Sequence, residues 1–235
     1  TEYSLARNTF EHLMLHPTWP TEWHLQMHQI AWYDYLYSGN TALIKKHYDL
    51  LKLKTLEAFE QPNGLISTTA KPQRKSFLDS IHYITFDRKE SLRDITDWPQ
   101  RGNKVAGPEY IGESDTFVFC DYNSVINAYY YQSIVLMKKF AKITGHQDDV
   151  KYYDQKVKNL FQNYNNQFVD ASSGLMKDGD TTTHSSFHAN FFALCFGLVK
   201  EENKERVKEF IKSKDMACSV YASQFFMDAL YNEGM

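Results

Sequence analysis

Three short segments hold residue types able to do acid–base or sugar-recognition chemistry. In HPTWPTEW (His16–Trp23), Pro20 and Thr21 open a helix and Glu22 falls in its first turn, between Trp19 and Trp23. The plainer reading is a carboxylate placed favourably at the positive end of a helix dipole. The catalytic reading is a general acid. Burial against two indoles favours the proton-bearing form, although a helix N-terminus opposes it. In SLRDITDWP (Ser91–Pro99), Arg93, Asp94, Asp97 and Trp98 come together in a loop. Either an Arg–Asp pair orders that loop with Trp98 as its apolar anchor, or carboxylates grip neighbouring hydroxyls while the indole covers a sugar face. The third segment runs from Asp178-Gly179-Asp180 through three threonines to HSSFH (His184–His188). Ser185 or Ser186 reads as an N-cap with dipole-favouring aspartates before it. An N-cap does not explain His184 and His188 at the mouth of an apolar helix, so both are kept as substrate-binding candidates.

Other chemistries fit poorly. His24 and His28 lie four apart on one helix, but no HExxH frame or third ligand accompanies them, and no metal is expected. Asp178-Gly179-Asp180 is too short for an EF-hand loop. No phosphate-binding glycine loop, nucleophile elbow or dinucleotide fingerprint appears, and no cofactor is expected. Cys120, Cys195 and Cys218 are odd in number, far apart and in no ligand spacing, against both a disulfide framework and a zinc site. The 26 basic and 29 acidic residues are interspersed and give a net charge of -3, so nothing electrostatic points to nucleic acid or an anionic membrane as partner. No apolar run reaches the length of a spanning helix. Aromatic residues make up 15% of the chain, which suits either a ring-packed core or a sugar site.

The elements that position these segments are helices of alternating character. Thr21–Tyr37 is apolar and aromatic on most sides and stops at Ser38-Gly39-Asn40, with Gly39 as a left-handed C-cap and Asn40 able to cap a second helix. That second helix, from Thr41 to Phe59, carries lysines on one side and Ile44, Tyr48 and Leu51 on the other. It ends before the turn Pro62-Asn63-Gly64. Ser124–Thr144 is apolar nearly all round and ends at Gly145, whereas Asp148–Phe168 has a single apolar stripe. The third pair comprises Ser185–Val199, apolar all round, and Glu202–Lys212, charged with an inner stripe. A further mostly apolar helix spans Ser219–Asn232, and another is expected from Ser4 to Met14.

A helix that is apolar all round is buried, and a one-sided helix lies at the surface. Alternation of the two across short glycine turns therefore predicts hairpins with one inner and one outer helix. Stacked in a ring, such hairpins form an all-α (α/α)6 barrel. An open α-solenoid is the rival, but its linkers are usually similar, and here Glu60–Tyr122 is long, with a short strand expected at Leu65–Thr68. Because the glycine turns join inner to outer helices, the long connections gather at the N-termini of the inner helices. Glu22, Asp121, Asn123, His184, Ser185, Cys218 and Ser219 are expected on that face.

The motifs HPTWPTEW, RDITDWP, HSSFHANFFALCFGLV and MACSVYASQFFMDALY, with YNSVINAYYYQS and NGLIST, resemble a bacterial branch of glycoside hydrolase family 78, the α-L-rhamnosidases. The resemblance runs along nearly the whole chain. It implies an (α/α)6 barrel and inverting hydrolysis of terminal α-L-rhamnose from an oligosaccharide, polysaccharide or glycoside. It implies Glu22 as the general acid and Asp97 and Trp98 as a pair lining the sugar pocket, with Asp94 and His184 beside them; Trp19, Trp23, Arg93 and His188 are substrate-binding candidates from the residues themselves. The family's general base lies in a Glu-Trp motif beyond the position of Tyr231. Residues 1–235 are accordingly expected to be one partial catalytic domain, cut at both ends and inactive or nearly so alone. Another α/α-barrel glycosidase (a glucosidase, trehalase-like or uronyl hydrolase) and a non-catalytic carbohydrate-binding protein are the alternatives.

Overall fold

The computed structural model describes residues 19–83, 91–98 and 113–235. His16, the expected Ser4–Met14 helix, Pro99 and two stretches of the Glu60–Tyr122 connection lie outside them. The described residues form helices and no strand, with four isolated bridges in place of a sheet. The strand expected at Leu65–Thr68 is one such bridge, Glu60 to Ile66. The chain divides into two compact units. One comprises residues 1–94 and 129–160, the other residues 95–128 and 161–235.

In the first unit, α1 (Thr21–Leu25) and α2 (Met27–Ser38) realise the expected Thr21–Tyr37 helix with one interruption at Gln26. The hydrogen bonds Gln26 N to Glu22 O (2.9 Å) and Ile30 N to Gln26 O (3.0 Å) carry the helical ladder across it. Gly39, at φ 67°, closes α2 by donating to Tyr35 O, and Asn40 Oδ1 then accepts from Ala42 N at the start of the next helix. That helix is divided into α3 (Ala42–Lys46) and α4 (Tyr48–Lys54), and its predicted inner residues Ile44, Tyr48 and Leu51 are buried. Only the first half of α2 is inside. Tyr33, Leu36 and Tyr37 are exposed, because apolar character read all round a helix does not say where along its length the packing stops. His28 joins the pair, with Nδ1 at 3.0 Å from Leu25 O and Nε2 at 2.9 Å from Leu51 O. A short helix within the long connection, α5 (Lys75–Ser80), carries no clear periodic signal in the sequence.

Helices α6 (Ser124–Thr144) and α7 (Gln147–Phe168) match their sequence readings almost residue for residue. Gly145, at φ 83°, turns the chain between them. In the first unit the Tyr48 ring stacks on His146 at 4.1 Å and its hydroxyl donates to Asp149, fixing α4 against the start of α7.

The second unit is built on α8 (Phe187–Cys195), α9 (Lys204–Ser213) and α10 (Val220–Asn232). Every residue from Phe187 to Leu194 is buried, as an inner helix requires, whereas α9 buries only Val207 and Ile211. Phe187 meets Phe226 edge-on at 5.0 Å and Phe192 meets Phe225 at 5.2 Å, an aromatic seam between α8 and α10. Such ring pairs add to the stabilisation given by area burial alone. Helix α10 is less enclosed than its composition suggests. Ala222, Phe225, Phe226 and Ala229 are inside, but Val220, Met227 and Tyr231 are exposed on one face.

Candidate active site

The start of α1 is held by the Arg93–Asp94 segment. Thr21 N donates to Arg93 O (3.0 Å) and Arg93 N donates to Trp19 O (2.9 Å), making a parallel bridge. The Arg93 guanidinium lies 4.5 Å from the centre of the Trp19 ring, a cation–π contact rather than the Arg–Asp pair the loop suggested. Asp94 Oδ1 accepts from Thr21 Oγ1 (2.7 Å) and from Thr68 Oγ1 (3.1 Å). Burial pushes the Asp94 carboxyl above the usual carboxylate range, against the pull of the two threonine hydroxyls. Glu22 comes directly after Thr21 and is fully buried, and Trp23 is partly buried. The structure thus brings Trp19, Thr21, Arg93 and Asp94 together around the first turn of the helix that bears Glu22.

In the second unit Asp97 is a hub. Its Oδ1 accepts from Trp98 N (2.7 Å) and Ser219 Oγ (2.5 Å), and its Oδ2 accepts from Ser219 N (2.9 Å) and His188 Nε2 (2.8 Å). Ser219 in turn caps α10 by accepting from Ala222 N. Asp97 and His188 are both fully buried. Both are substrate-binding candidates in the sequence. Here the carboxylate has both oxygens engaged, and the imidazole is enclosed on a helix buried from Phe187 to Leu194. Trp98, next to Asp97, is half exposed.

His184 sits on a second carboxylate. Asp178 is fully buried and accepts from Val118 N (2.9 Å), Ser186 N (2.8 Å) and His184 Nδ1 (2.6 Å), while its own N–H donates to His184 O (2.8 Å). Ser186 caps α8 by accepting from Ala189 N, as expected. Asn190 clamps the approach to Asp178 by bonding both the N–H and the carbonyl of Met176. Asn123 bridges to Gly179, accepts from Ile126 N at the start of α6, and donates to Thr96 Oγ1. Sequence reasoning places Ser219 and Asp178 near the candidate residues but assigns neither of them its carboxylate or histidine partner. Ser219 is legible as an N-cap, but nothing nearby in the chain points to Asp97 as its partner.

This geometry can be set beside known proteins. The family described as the bacterial alpha-L-rhamnosidase six-hairpin glycosidase domain matches residues 13–235. The chain belongs to that family. Two alpha-L-rhamnosidases of Formosa agariphila are 25% identical over 192 residues and 24% identical over 185 residues. Each match covers 79% of this chain and 16% of the relative, so the chain spans about a sixth of the length of these relatives. Among solved structures, the GH78 family rhamnosidase of Bacillus sp. GL1 aligns with TM-score 0.66 at 14% identity, over 92% of this chain and 20% of that one. A Klebsiella oxytoca rhamnosidase with rhamnose bound aligns with TM-score 0.63 at 10% identity, over 92% and 36% of the two chains. The alpha-L-rhamnosidase of Dictyoglumus thermophilum gives 0.60 at 18%, over 92% and 21%. These likenesses place the family's helical hairpins here in the α/α toroid fold.

Proposed function

We propose that this chain is part of a glycoside hydrolase that releases terminal α-L-rhamnose with inversion, and that Glu22 is its general acid. The observation that supports this reading best is the setting of Glu22. It is a fully buried carboxyl in the first turn of α1, on a helix start held through Thr21 to Asp94 and through Trp19 to Arg93. Burial favours the neutral acid, the form that donates a proton.

In this reaction the Glu22 O–H protonates the glycosidic oxygen as its bond to the anomeric carbon breaks. A second carboxylate takes a proton from the water that attacks the opposite face of the sugar. Arg93, Asp94 and the indoles of Trp19 and Trp23 shape the surroundings of the acid. In the second unit, Trp98 and His184 are the side chains offered to a sugar, and Asp97 and His188 hold Trp98 in place. The substrate is a rhamnose-ended oligosaccharide, polysaccharide or glycoside.

A panel of aryl glycosides tests the proposal, with a longer protein carrying this chain as catalyst. The expected result is turnover of the α-L-rhamnoside with β-L-rhamnose as the first product seen by NMR. Turnover confined to glucosides or uronides would replace the substrate assignment, and an α-configured first product would replace inversion.

A further inference from the structure

Two histidines of the second unit sit on buried aspartates, but in different settings. His188 is sealed inside with Asp97. The His184 side chain is 37% exposed, while its partner Asp178 is completely enclosed. Asp178 is therefore fixed, with two main-chain N–H groups on the same carboxylate, and the imidazole is the outward part of the pair. Because a carboxylate only accepts, Nδ1 must carry the hydrogen of the 2.6 Å bond. In the neutral ring this leaves Nε2 as a bare acceptor, the opposite of the arrangement an unconstrained imidazole prefers.

The chain opposite Nε2 is unusual too. Asp115 and Thr116 both have positive φ, 45° and 56°. For a β-branched residue such as Thr116 this is a strained conformation. The turn is pinned because Asp115 Oδ2 accepts from Phe187 N (2.7 Å) at the start of α8 and pairs with Lys214. It sets the exposed Thr116 Oγ1 3.4 Å from Nε2, a long contact that a better hydroxyl donor can displace.

We infer that Asp178 is a positioning residue that fixes His184 as its Nδ1–H tautomer, and that His184 Nε2 accepts a hydrogen bond from a hydroxyl of the bound sugar. The sugar half of this inference rests on the proposed rhamnosidase reading. The tautomer half does not. Gln in place of His184 can put a carbonyl oxygen near the position of Nε2, whereas Ala cannot.

Long-range 15N–1H NMR of the imidazoles in the wild-type chain tests the dyad without any substitution. The expected spectrum shows neutral His184 protonated on Nδ1, and methyl α-L-rhamnoside shifts its Nε2 resonance. His184→Ala should bind that glycoside about tenfold more weakly, and His184→Gln should recover most of the loss. In Asp178→Asn the ring should revert to the Nε2–H form if the variant folds. A wild-type His184 protonated on Nε2 overturns the positioning role. The expected tautomer with no response at His184, while the Trp98 indole responds, overturns the sugar contact and leaves the rhamnosidase reading standing. A chain in which no resonance responds to the glycoside removes the sugar contact, and the spectrum of the free protein still decides the tautomer.

Discussion

Ser219 Oγ donates a 2.5 Å hydrogen bond to Asp97 Oδ1, joining residues 122 positions apart and fixing the start of α10 to the loop that carries Trp98. Ser219 N and His188 Nε2 lie on the other oxygen and Trp98 N on the first, so the carboxylate accepts four hydrogen bonds. An amide in its place would turn an NH2 toward one of those donors. Asp97→Asn is expected to cost about 3 kcal/mol of unfolding free energy, the scale of leaving buried charged-group bonds unmade. Urea unfolding of the two proteins measures it, and equal stability would show that the hub is dispensable.

His28 should make the protein acid-sensitive. Burial pushes its imidazole down to about 4 from the ordinary 6.5, although both ring nitrogens face main-chain carbonyls. Between those two values the unfolded chain takes up a proton that the folded chain refuses. Stability is therefore full above the unfolded value and falls as pH drops toward the folded one. From pH 7 to pH 5 the loss from this residue is about 2 kcal/mol. Urea midpoints at the two pH values should differ less in His28→Gln than in the parent, whatever the variant's stability at pH 7.

Gly179 lies against the Cys120–Asn123 segment, bridged to Asn123. A Cβ there would stand 2.5 Å from Cys120 Cβ and 2.8 Å from the carbonyl oxygen of Tyr122, distances real side chains do not adopt. Gly179→Ala should therefore push apart the two segments that hold Asp178 and lower stability by about 1–3 kcal/mol. A thermal scan in which the variant melts with the parent would show that the segments are free to separate.

Lys156 bridges Glu57 at 2.7 Å and Glu60 at 2.6 Å, and Glu60 also accepts from the largely buried Tyr130 hydroxyl. These bonds hold the Lys156 ammonium above its ordinary range despite its burial. Removing it leaves two facing carboxylates with no cation between them. Lys156→Met is expected to destabilise by about 2–3 kcal/mol, and Lys156→Met with Glu57→Gln should recover part of that. A double variant no more stable than the single one would assign the loss to packing.

Much of the fold can be read along the chain. Gly39 and Gly145 end helices where their left-handed φ requires, and α7 buries Tyr153, Leu160, Tyr164 and Phe168 as their spacing implies. Local periodicity and capping carry that information because they act over a few residues. The partial exposure of α2 and α10 is hidden, since a helix's own residues do not encode what packs on it. The candidate site is read from residue types, and the partners of those residues are not visible along the chain. Nothing within a few positions of Asp97 shows that it spends its oxygens on His188 and Ser219, or that Asp178 rather than the solvent sets the ring of His184. Trp98 and Glu22 stand out as candidates for one reason: a large aromatic beside a carboxylate is conspicuous in any sequence.

The most direct test is the rate of Glu22→Gln on two α-L-rhamnosides, one with a nitrophenyl leaving group and one with a poor, alkyl leaving group. If Glu22 supplies the proton, kcat/KM on the alkyl rhamnoside should fall by roughly a hundredfold to ten-thousandfold, while the nitrophenyl substrate, which leaves without protonation, loses far less. Equal rates for parent and variant on both substrates would contradict the assignment and remove Glu22 from the chemistry.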